Sequence, residues 1–344
     1  MHKLYQTLNA QGLTFSASEN MPVTGTFIPP EFGGDLRVSG GSKTAPLPQI
    51  VAGEAPAQVV DASGDQLVVP EQLRGVDPAK LLVAFDIDGT ILGRDGSMSS
   101  AVLQSLRALD AAGANVVIAT GRSIPAVAGV LTLLQLRHGF VVCSNGAVVL
   151  RTAPGKTAGS IDYKVVKTVT FPPAPIIDRL VEKIPDAYFG VEAVGSGFLV
   201  SEHFPAGELI GEQQVVGLQG LRQKEVTRVI LRAPSLSAQD LKDIVAGLGI
   251  DTVQWDIGWT AWLDVVSEDS TKARALAELA DTLGVDHAHT VAVGDGSNDV
   301  AMIDWASWGL AMKNGSQDAK SVAAAVLPPV TENGAALVGK LLLG

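Results

Sequence analysis

From Leu81 onward the chain repeatedly runs apolar and then stops on a polar tip. "LLVAFDID" is a continuous apolar strand that ends on Asp86 and Asp88. The next stretch, "MSSAVLQSLRALDAAG", has apolar residues at helical spacing, a serine at its start and Gly113 past its end, which predicts a capped helix. "ANVVIATGR" is a second buried strand, followed by a helix from Ile124 to Leu136 with Pro125 in its first turn. "GFVVCSNGA" is a third strand. The same rhythm returns after position 265: helix "STKARALAELADTLG", strand "TVAVGDGSND", helix "DVAMIDWASW", strand "GLAM", then a last strand and helix. Uninterrupted apolar strands separated by helices predict right-handed βαβ units and a buried parallel sheet.

Between 151 and 265 the pattern loosens. "PAPIIDRLVEKI" and "SAQDLKDIVAGLG" read as helices, and "DAYFGVEAVGSGFLVSEH" as two strands around Gly195 to Gly197. "VTRVILRAP" is another strand, and "DTVQWDIGWTAWLDVVS" a strand pair turning near Gly258. This order predicts a separate α+β domain inserted into the first. The fold class is therefore α/β: a Rossmann-like parallel-sheet core over 79–150 and 266–344, an inserted α+β domain over 151–265, and an extension over 1–78. In the extension, "MPVTGTFIPPEFGGDLRVSGGSKTAPLPQ" is rich in Gly, Pro, Ser and Thr and reads as an irregular arm. "AQVVDASGDQLVVP" predicts a hairpin turning near Ala62-Ser63-Gly64. The arm carries no assignable chemistry; packing against a neighbour, contact in a homo-oligomer and disorder stay open.

Composition narrows the function. At 344 residues and 47% hydrophobic the chain can bury the cores of two domains. A net charge of −11 argues against sequence-independent nucleic-acid binding, which needs clustered Lys and Arg. An acidic protein that handles phosphorylated anions then needs a bound cation or a locally positive pocket. Cys143 is the single cysteine, so there is no disulfide framework, and its apolar setting "FVVCSN" predicts a buried, inert thiol. No apolar run approaches the ~20 residues that span a bilayer, and no basic-then-apolar start reads as a signal peptide. The expectation is a cytoplasmic protein with no membrane partner. "NGS" at Asn314 matches a glycosylation acceptor by chance.

Ligands of open parallel sheets bind beyond the carboxyl ends of the strands. Four strand ends here carry polar groups: Asp86 and Asp88; Thr120, Gly121 and Arg122; Ser144, Asn145 and Gly146; Asp295 and Asp299. A lone Asp after a strand is ordinarily a turn residue or cap; four such tips on one edge suggest a site. A calcium loop starting at Asp86 fails, because it needs Gly sixth and Glu twelfth, whereas Gly89 is fourth and Ser97 twelfth. "GDGSND" lacks the rest of a dinucleotide fingerprint, and there is no Walker-type Gly-Lys-Ser/Thr loop. Asp86, Asp88 and Asp295 brought together would repel and hold protons. A hard divalent cation such as Mg²⁺, bound by carboxylates and a phosphate, removes the conflict and predicts an anionic substrate with it.

"DIDGT", "ATGR", the lysine of "STKARAL" and "GDGSND", in that order at strand ends, resemble the four-part signature of the haloacid dehalogenase-like hydrolase superfamily. "SNGA" before the insertion and the insertion's strand–helix order are similar to its Cof-type branch, phosphatases with a large mobile α/β cap. The resemblance covers about 80 to 344. It implies that Asp86 is the nucleophile, forming an aspartyl-phosphate, and that Asp88 is the general acid and then base, its backbone carbonyl also a metal ligand. It implies Mg²⁺ held by Asp86, Asp88 and Asp295, and Thr120 and Lys272 on the phosphoryl oxygens. Asp299 would support Asp295 or Lys272, and Asn298 would touch phosphate. The family commonly has Lys-Gly where this chain has Lys272-Ala273, which leaves Ser270 and Lys320 as stand-ins for Lys272.

Local sequence leaves other roles open. Lys272 also reads as a solvated lysine in a helix's first turn. Arg122 either reaches substrate or caps the following loop; Gly121 and Asn145 lie beside it as phosphate contacts, with Asn145 also shaping the hinge into the cap. Trp255, Trp259 and Trp262 either pack the cap or line its pocket. Trp305 and Trp308 read as packing on a core helix, and His287 and His289 as solvated. The expected activity is Mg²⁺-dependent hydrolysis of a small phosphorylated metabolite, such as a sugar phosphate or phosphorylated cofactor. A phosphosugar mutase and a non-catalytic phosphate-binding protein are the alternatives.

Overall fold

The computed structural model describes residues 33–36, 44–137, 139–155, 160–249, 253–258 and 260–344. Strands β1 (Gly33–Leu36), β2 (Leu82–Phe85), β3 (Asn115–Ala119), β4 (Gly139–Cys143), β5 (Val148–Pro154) and β6 (Ile161–Thr168) belong to one large sheet. The chain then builds a second sheet from β7 (Tyr188–Ala193), β8 (Gly197–Val200), β9 (Glu212–Val215), β10 (Val229–Arg232), β11 (Val253–Gly258) and β12 (Trp262–Ser267). It returns to the first with β13 (Thr290–Gly294), β14 (Trp308–Met312) and β15 (Ala325–Leu327). The large sheet has the order β1-β6-β5-β4-β3-β2-β13-β14-β15, parallel from β4 to β15 and antiparallel from β1 to β4. The order of the second is β9-β8-β7-β10-β12-β11, antiparallel except for β8 with β9.

Among the described residues the α-helices of six residues or more are α1 (Ser100–Ala111), α2 (Ile124–Leu134), α3 (Ala174–Lys183), α4 (Ala238–Ala246), α5 (Lys272–Leu283), α6 (Val300–Trp305), α7 (Gln317–Val322) and α8 (Ala336–Leu343). Alternation along the central strand β2 explains the layering. Val83 and Phe85 join a cluster with Leu106 and Leu109 of α1, Val127 and Leu134 of α2 and Val338 of α8. Leu82 and Ala84 join the other face's cluster with Leu276 and Leu279 of α5 and Met302 and Ile303 of α6. Burying each such Val or Leu stabilises the fold by about 1.5–3 kcal/mol, so the strand ends rest on a rigid base.

In the second sheet Phe189, Val191, Val229, Leu231, Leu263 and Val265 pack against α3 and α4. Among the described residues no helix covers the opposite face. It carries the small cluster of Phe198, Val200, Phe204, Leu209 and Ile230, and, by alternation, Glu192, Arg228, Trp262 and Asp264. That face meets the carboxyl edge of the large sheet.

Several expectations need correcting. The chain does not leave the large sheet at 151: β5 and β6 extend it antiparallel, and the second sheet begins only at Tyr188. The extension is not wholly irregular, since β1 pairs antiparallel with β6, from Gly33 opposite Lys164 to Leu36 opposite Ile161. Ala45, Leu67 and Leu73 are buried on the core. The predicted hairpin shrinks to one bridge, Val60 with Gln66, because the Asp61 carboxylate accepts from Ser63 N (2.8 Å) and Asp65 N (3.0 Å) and makes a side-chain-closed turn. The rest of the arm's first 43 residues lies outside the described residues. Trp308 is not helical; it opens β14 and is buried, while Trp305 ends α6. His287 is engaged rather than merely solvated: its Nε2 lies 2.6 Å from the Trp305 carbonyl, and its ring stands edge-on to that indole at 5.6 Å. Among the described residues no helix is long and apolar enough to cross a membrane.

Candidate active site

The polar tips converge on one edge, and buried side-chain contacts fix them there. Asp86 follows β2 directly, and its N–H continues the ladder to Val293 O of β13 at 2.9 Å. Lys272 opens α5, with Thr271 capping the helix by accepting from Arg274 N (2.9 Å). Its buried Nζ donates to Asp86 Oδ1 and to Asp299 Oδ1, both at 2.7 Å. The other oxygen of Asp299 accepts from Asp295 N and Gly296 N, each at 2.9 Å. Asp295 itself follows β13. Oxygens of Asp86, Asp295 and Asp299 lie within 4.8 Å of one another. Lys272 is thus neither solvated nor in need of a stand-in. Lys320 is spent on the Lys313 carbonyl (3.0 Å), and Ser270 Oγ is buried without a hydrogen-bond partner.

Three carboxylates against one ammonium leave two uncompensated negative charges. Burial, and then the Asp299 charge, push Asp86 well above the usual carboxylate range, with Lys272 opposing. The same two causes push Asp295 up to about 7. Burial alone would lower the Lys272 ammonium, but Asp299 and Asp86 hold it above its ordinary value, so it stays charged. The deficit equals the charge of one divalent cation, and all the donors are hard oxygens, the set Mg²⁺ prefers. Asp86 and Asp295 are the residues that fit it. Asp299 already has both oxygens hydrogen-bonded and serves to orient Lys272 and the Asp295 loop. Gly89, at φ +82°, leaves room for this: a β-carbon there would overlap the Asp295 carboxylate.

Asp88 stands apart from the cluster. Its carboxylate is exposed and clamped in a bidentate pair by Arg122, Nη2 to Oδ1 at 2.6 Å and Nε to Oδ2 at 2.9 Å. Arg122 thus takes on a job that its sequence context did not suggest, holding Asp88, while its Nη1 donates to the Ala126 carbonyl of the following helix at 3.2 Å. The metal role expected of Asp88 rests on its backbone carbonyl, which this side-chain pairing does not occupy. Thr120 is buried at the end of β3, and its Oγ1 accepts from Arg122 N (3.1 Å). Asn298 Nδ2 donates to Asn145 Oδ1 at 2.9 Å, tying the β13 loop to the β4 loop. Asn145 adopts φ +54°, a left-handed turn that Asn tolerates. Gly121 sits against the Asn145 amide.

Some site residues carried no signal that the motif search used. Asn314, set aside as a chance glycosylation match, donates to Gly89 O (2.8 Å) and Asp295 Oδ2 (3.3 Å) and accepts from Val330 N (2.8 Å). Its place just past the apolar strand "WGLAM" was the available clue. From the second sheet, buried Glu192 accepts from Ser144 Oγ at 2.9 and 2.8 Å and from Thr227 Oγ1 at 3.0 Å. Arg228 Nη1 donates to the Gly121 carbonyl at 2.5 Å and pairs with Asp264 at 3.4 Å. Asp256 accepts from Ser297 Oγ at 2.7 Å. Trp262 packs on Phe204 at 5.5 Å and its Nε1 donates to Asp264 (3.1 Å); Trp255 packs at the sheet's core, and Trp259 lies outside the described residues. Cys143 is buried, and burial raises its thiol, which fits an inert role.

A family profile described as haloacid dehalogenase-like hydrolase matches residues 83–170 and 213–338. The chain is 28% identical over 272 residues to the 5-amino-6-(5-phospho-D-ribitylamino)uracil phosphatase YitU of Bacillus subtilis, covering 74% of this chain and 94% of that one. It is also 28% identical over 266 residues to a phosphoglycolate phosphatase of Methanopyrus kandleri, covering 76% and 97%. Among solved structures, the phosphatase BT1666 from Bacteroides thetaiotaomicron superposes with a TM-score of 0.63 at 23% identity, covering 80% of this chain and 98% of that one. That likeness speaks for the fold.

Proposed function

The chain belongs to the haloacid dehalogenase-like hydrolase family, and from that premise we propose that it is a Mg²⁺-dependent phosphatase of a small phosphorylated metabolite, working through an aspartyl-phosphate on Asp86. The observation that carries this reading is the buried Lys272 shared by Asp86 and Asp299 beside Asp295, a cluster two charges short of neutral. Asp86 Oδ1 is occupied by Lys272, so its other oxygen is the one offered to phosphorus. The Asp86 oxygen–phosphorus bond forms as the bond to the leaving oxygen breaks, and that oxygen takes a proton from Asp88. Water then attacks phosphorus, gives its proton to Asp88 and releases Asp86 with inorganic phosphate. Asp88 must exchange its pairing with Arg122 for the leaving oxygen, a shift its exposure allows. Lys272 and the Thr120 hydroxyl face the charge that builds on the phosphoryl oxygens. When bound by Asp86 and Asp295, Mg²⁺ supplies the remaining positive charge and polarises the phosphoryl group.

The second sheet is the lid in this reading. Ser144–Glu192 and Arg228–Gly121 fasten it to the loops that hold phosphate, which limits access of bulk water during turnover. The test is a phosphate-release panel with and without Mg²⁺, spanning phosphoglycolate, hexose phosphates, pyridoxal 5′-phosphate and flavin mononucleotide. The expected result is metal-dependent release from at least one ester, lost in Asp86→Asn. Release that ignores both the metal and Asp86, or no release at all, overturns the reading.

A further inference from the structure

The family profile begins at residue 83, yet a segment well before it reaches the edge of the site. Residues Ala45–Gln49 form a strap across the large-sheet domain, tied at both ends. Ala45 N donates to the Pro125 carbonyl at the start of α2, and Met98 N donates to the Gln49 carbonyl, each at 2.9 Å. Beyond Gln49 the two-residue strand Ile50–Val51 pairs in parallel with Met98–Ser99. The middle of the strap presses on α2 at Gly129, where an added β-carbon would overlap the Pro46 carbonyl. Only a residue without a side chain lets the strap lie this close.

The strap, the Leu92–Gly96 loop, the start of α2 and the helix-free face of the second sheet enclose a cavity of about 520 Å³. Arg122 and Arg228 both line it. The first clamps Asp88 and the second holds the Gly121 carbonyl, so the cavity begins where the phosphoryl loops end. Its walls are otherwise mostly apolar: Leu47 from the strap faces a space bounded by Phe198, Leu209, Ile210 and Trp262. Leu47 is 51% exposed, so its side chain is open to a ligand in this space. The acids at the rim are engaged, Glu208 with Arg232 and Asp95 with Ser97. A polyhydroxylated leaving group would set its hydroxyls against rings and aliphatic chains with few partners.

We propose that the strap is a fixed wall of the leaving-group pocket, with Leu47 a specificity-determining residue, and that the pocket takes phosphomonoesters whose leaving group has a bulky, largely apolar ring system. This rests on the phosphatase reading above. Removing or charging one apolar wall of a pocket changes discrimination by about tenfold or more.

The experiment measures kcat and KM with Mg²⁺ for 1-naphthyl phosphate and for glucose 6-phosphate, in the wild type, Asp86→Asn, Leu47→Asp and Gly129→Ala. Leu47→Asp charges the wall at an exposed position, and Gly129→Ala displaces the strap from behind. Ile50→Asp, at an exposed apolar neighbour that does not line the cavity, controls for added charge. The expected result is a wild-type ratio of kcat/KM that favours 1-naphthyl phosphate. It should fall about tenfold in both strap variants, mainly through KM, and hold in Ile50→Asp. A wild-type preference for glucose 6-phosphate, or a ratio unmoved in Leu47→Asp while hydrolysis still depends on Asp86, overturns the wall and leaves the phosphatase reading standing. Hydrolysis that survives Asp86→Asn, or none in the wild type, overturns both.

Discussion

The two surfaces that face each other across the site are built on opposite principles. On the large-sheet side the charged groups are locked: Lys272 has two carboxylate partners at 2.7 Å, and both oxygens of Asp299 are taken. On the second-sheet side, Arg228 Nε is buried without a hydrogen-bond partner and Asp264 meets Arg228 only at 3.4 Å. Asp264 is raised by burial, with Arg228 opposing. The first surface has the rigidity that in-place chemistry needs. The second is less completely paired, as suits a surface that must part from its partner and adapt to a leaving group. In the proposed reading chemistry belongs to the locked face, and selection to the second sheet together with the strap beside it, and substitutions should separate the two.

The largest effects belong to the locked face. Asp86→Asn should cost roughly 10⁴-fold or more in kcat, read by phosphate release under saturating substrate. Lys272→Met should cost about 10²–10³-fold. It should also destabilise the metal-free fold by about 3–5 kcal/mol, because it strands buried carboxylates; urea unfolding measures this. An active Lys272→Met would break the contrast outright.

Smaller effects belong to the facing surface. Glu192→Ala leaves the Ser144 and Thr227 hydroxyls buried without their acceptor, at a cost of about 1–3 kcal/mol. It should lower kcat/KM by about tenfold, with the loss differing between substrates. An identical loss for every ester would mean that Glu192 serves the chemistry and not the lid. Smallest is Arg122→Lys, which keeps the charge but not the two-pronged grip on Asp88 and should lower kcat only a few-fold. A KM effect alone would instead place Arg122 on substrate.

The same contrast governs what was legible in sequence. Asp86, Thr120, Asp295 and Asp299 could be placed on one edge because parallel topology sends every strand end there, whatever the loops do; Lys272, which opens a helix after the second sheet, came only from the family resemblance. The Arg122–Asp88 clamp was not, since it depends on how two loops lie, and neither was Asn314, whose neighbours spelled a different motif. The extent of the large sheet was misjudged for a related reason. "VVLRTAP" and "IDYKVVKT" mix polar and apolar residues as antiparallel strands near a sheet margin do, and so resembled the inserted domain. "GGDL" has almost no strand propensity and becomes β1 only because β6 offers a free edge. Glu192 sits next to the end of β7 and Arg228 just before β10, where alternation alone cannot tell a solvated face from one that closes on a site.

The electrostatic deficit yields a pH dependence with a definite sign. Asp295 is near 7 in the metal-free protein, against an ordinary 3.8, so the folded chain keeps a proton that the unfolded chain has released between those values. That contribution to stability is present at low pH and fades as pH rises through about 7, where the unprotonated carboxylate is free to take a cation instead. The direct measurement is a titration of the full chain with Mg²⁺, by calorimetry and thermal unfolding, at pH 5.5 and pH 8, in the wild type and in Asp295→Asn. The account predicts one site at pH 8, weakened by about tenfold or more at pH 5.5 and by about 10–100-fold in Asp295→Asn. Equal Mg²⁺ affinity in the variant and the wild type, or none in either, would contradict it.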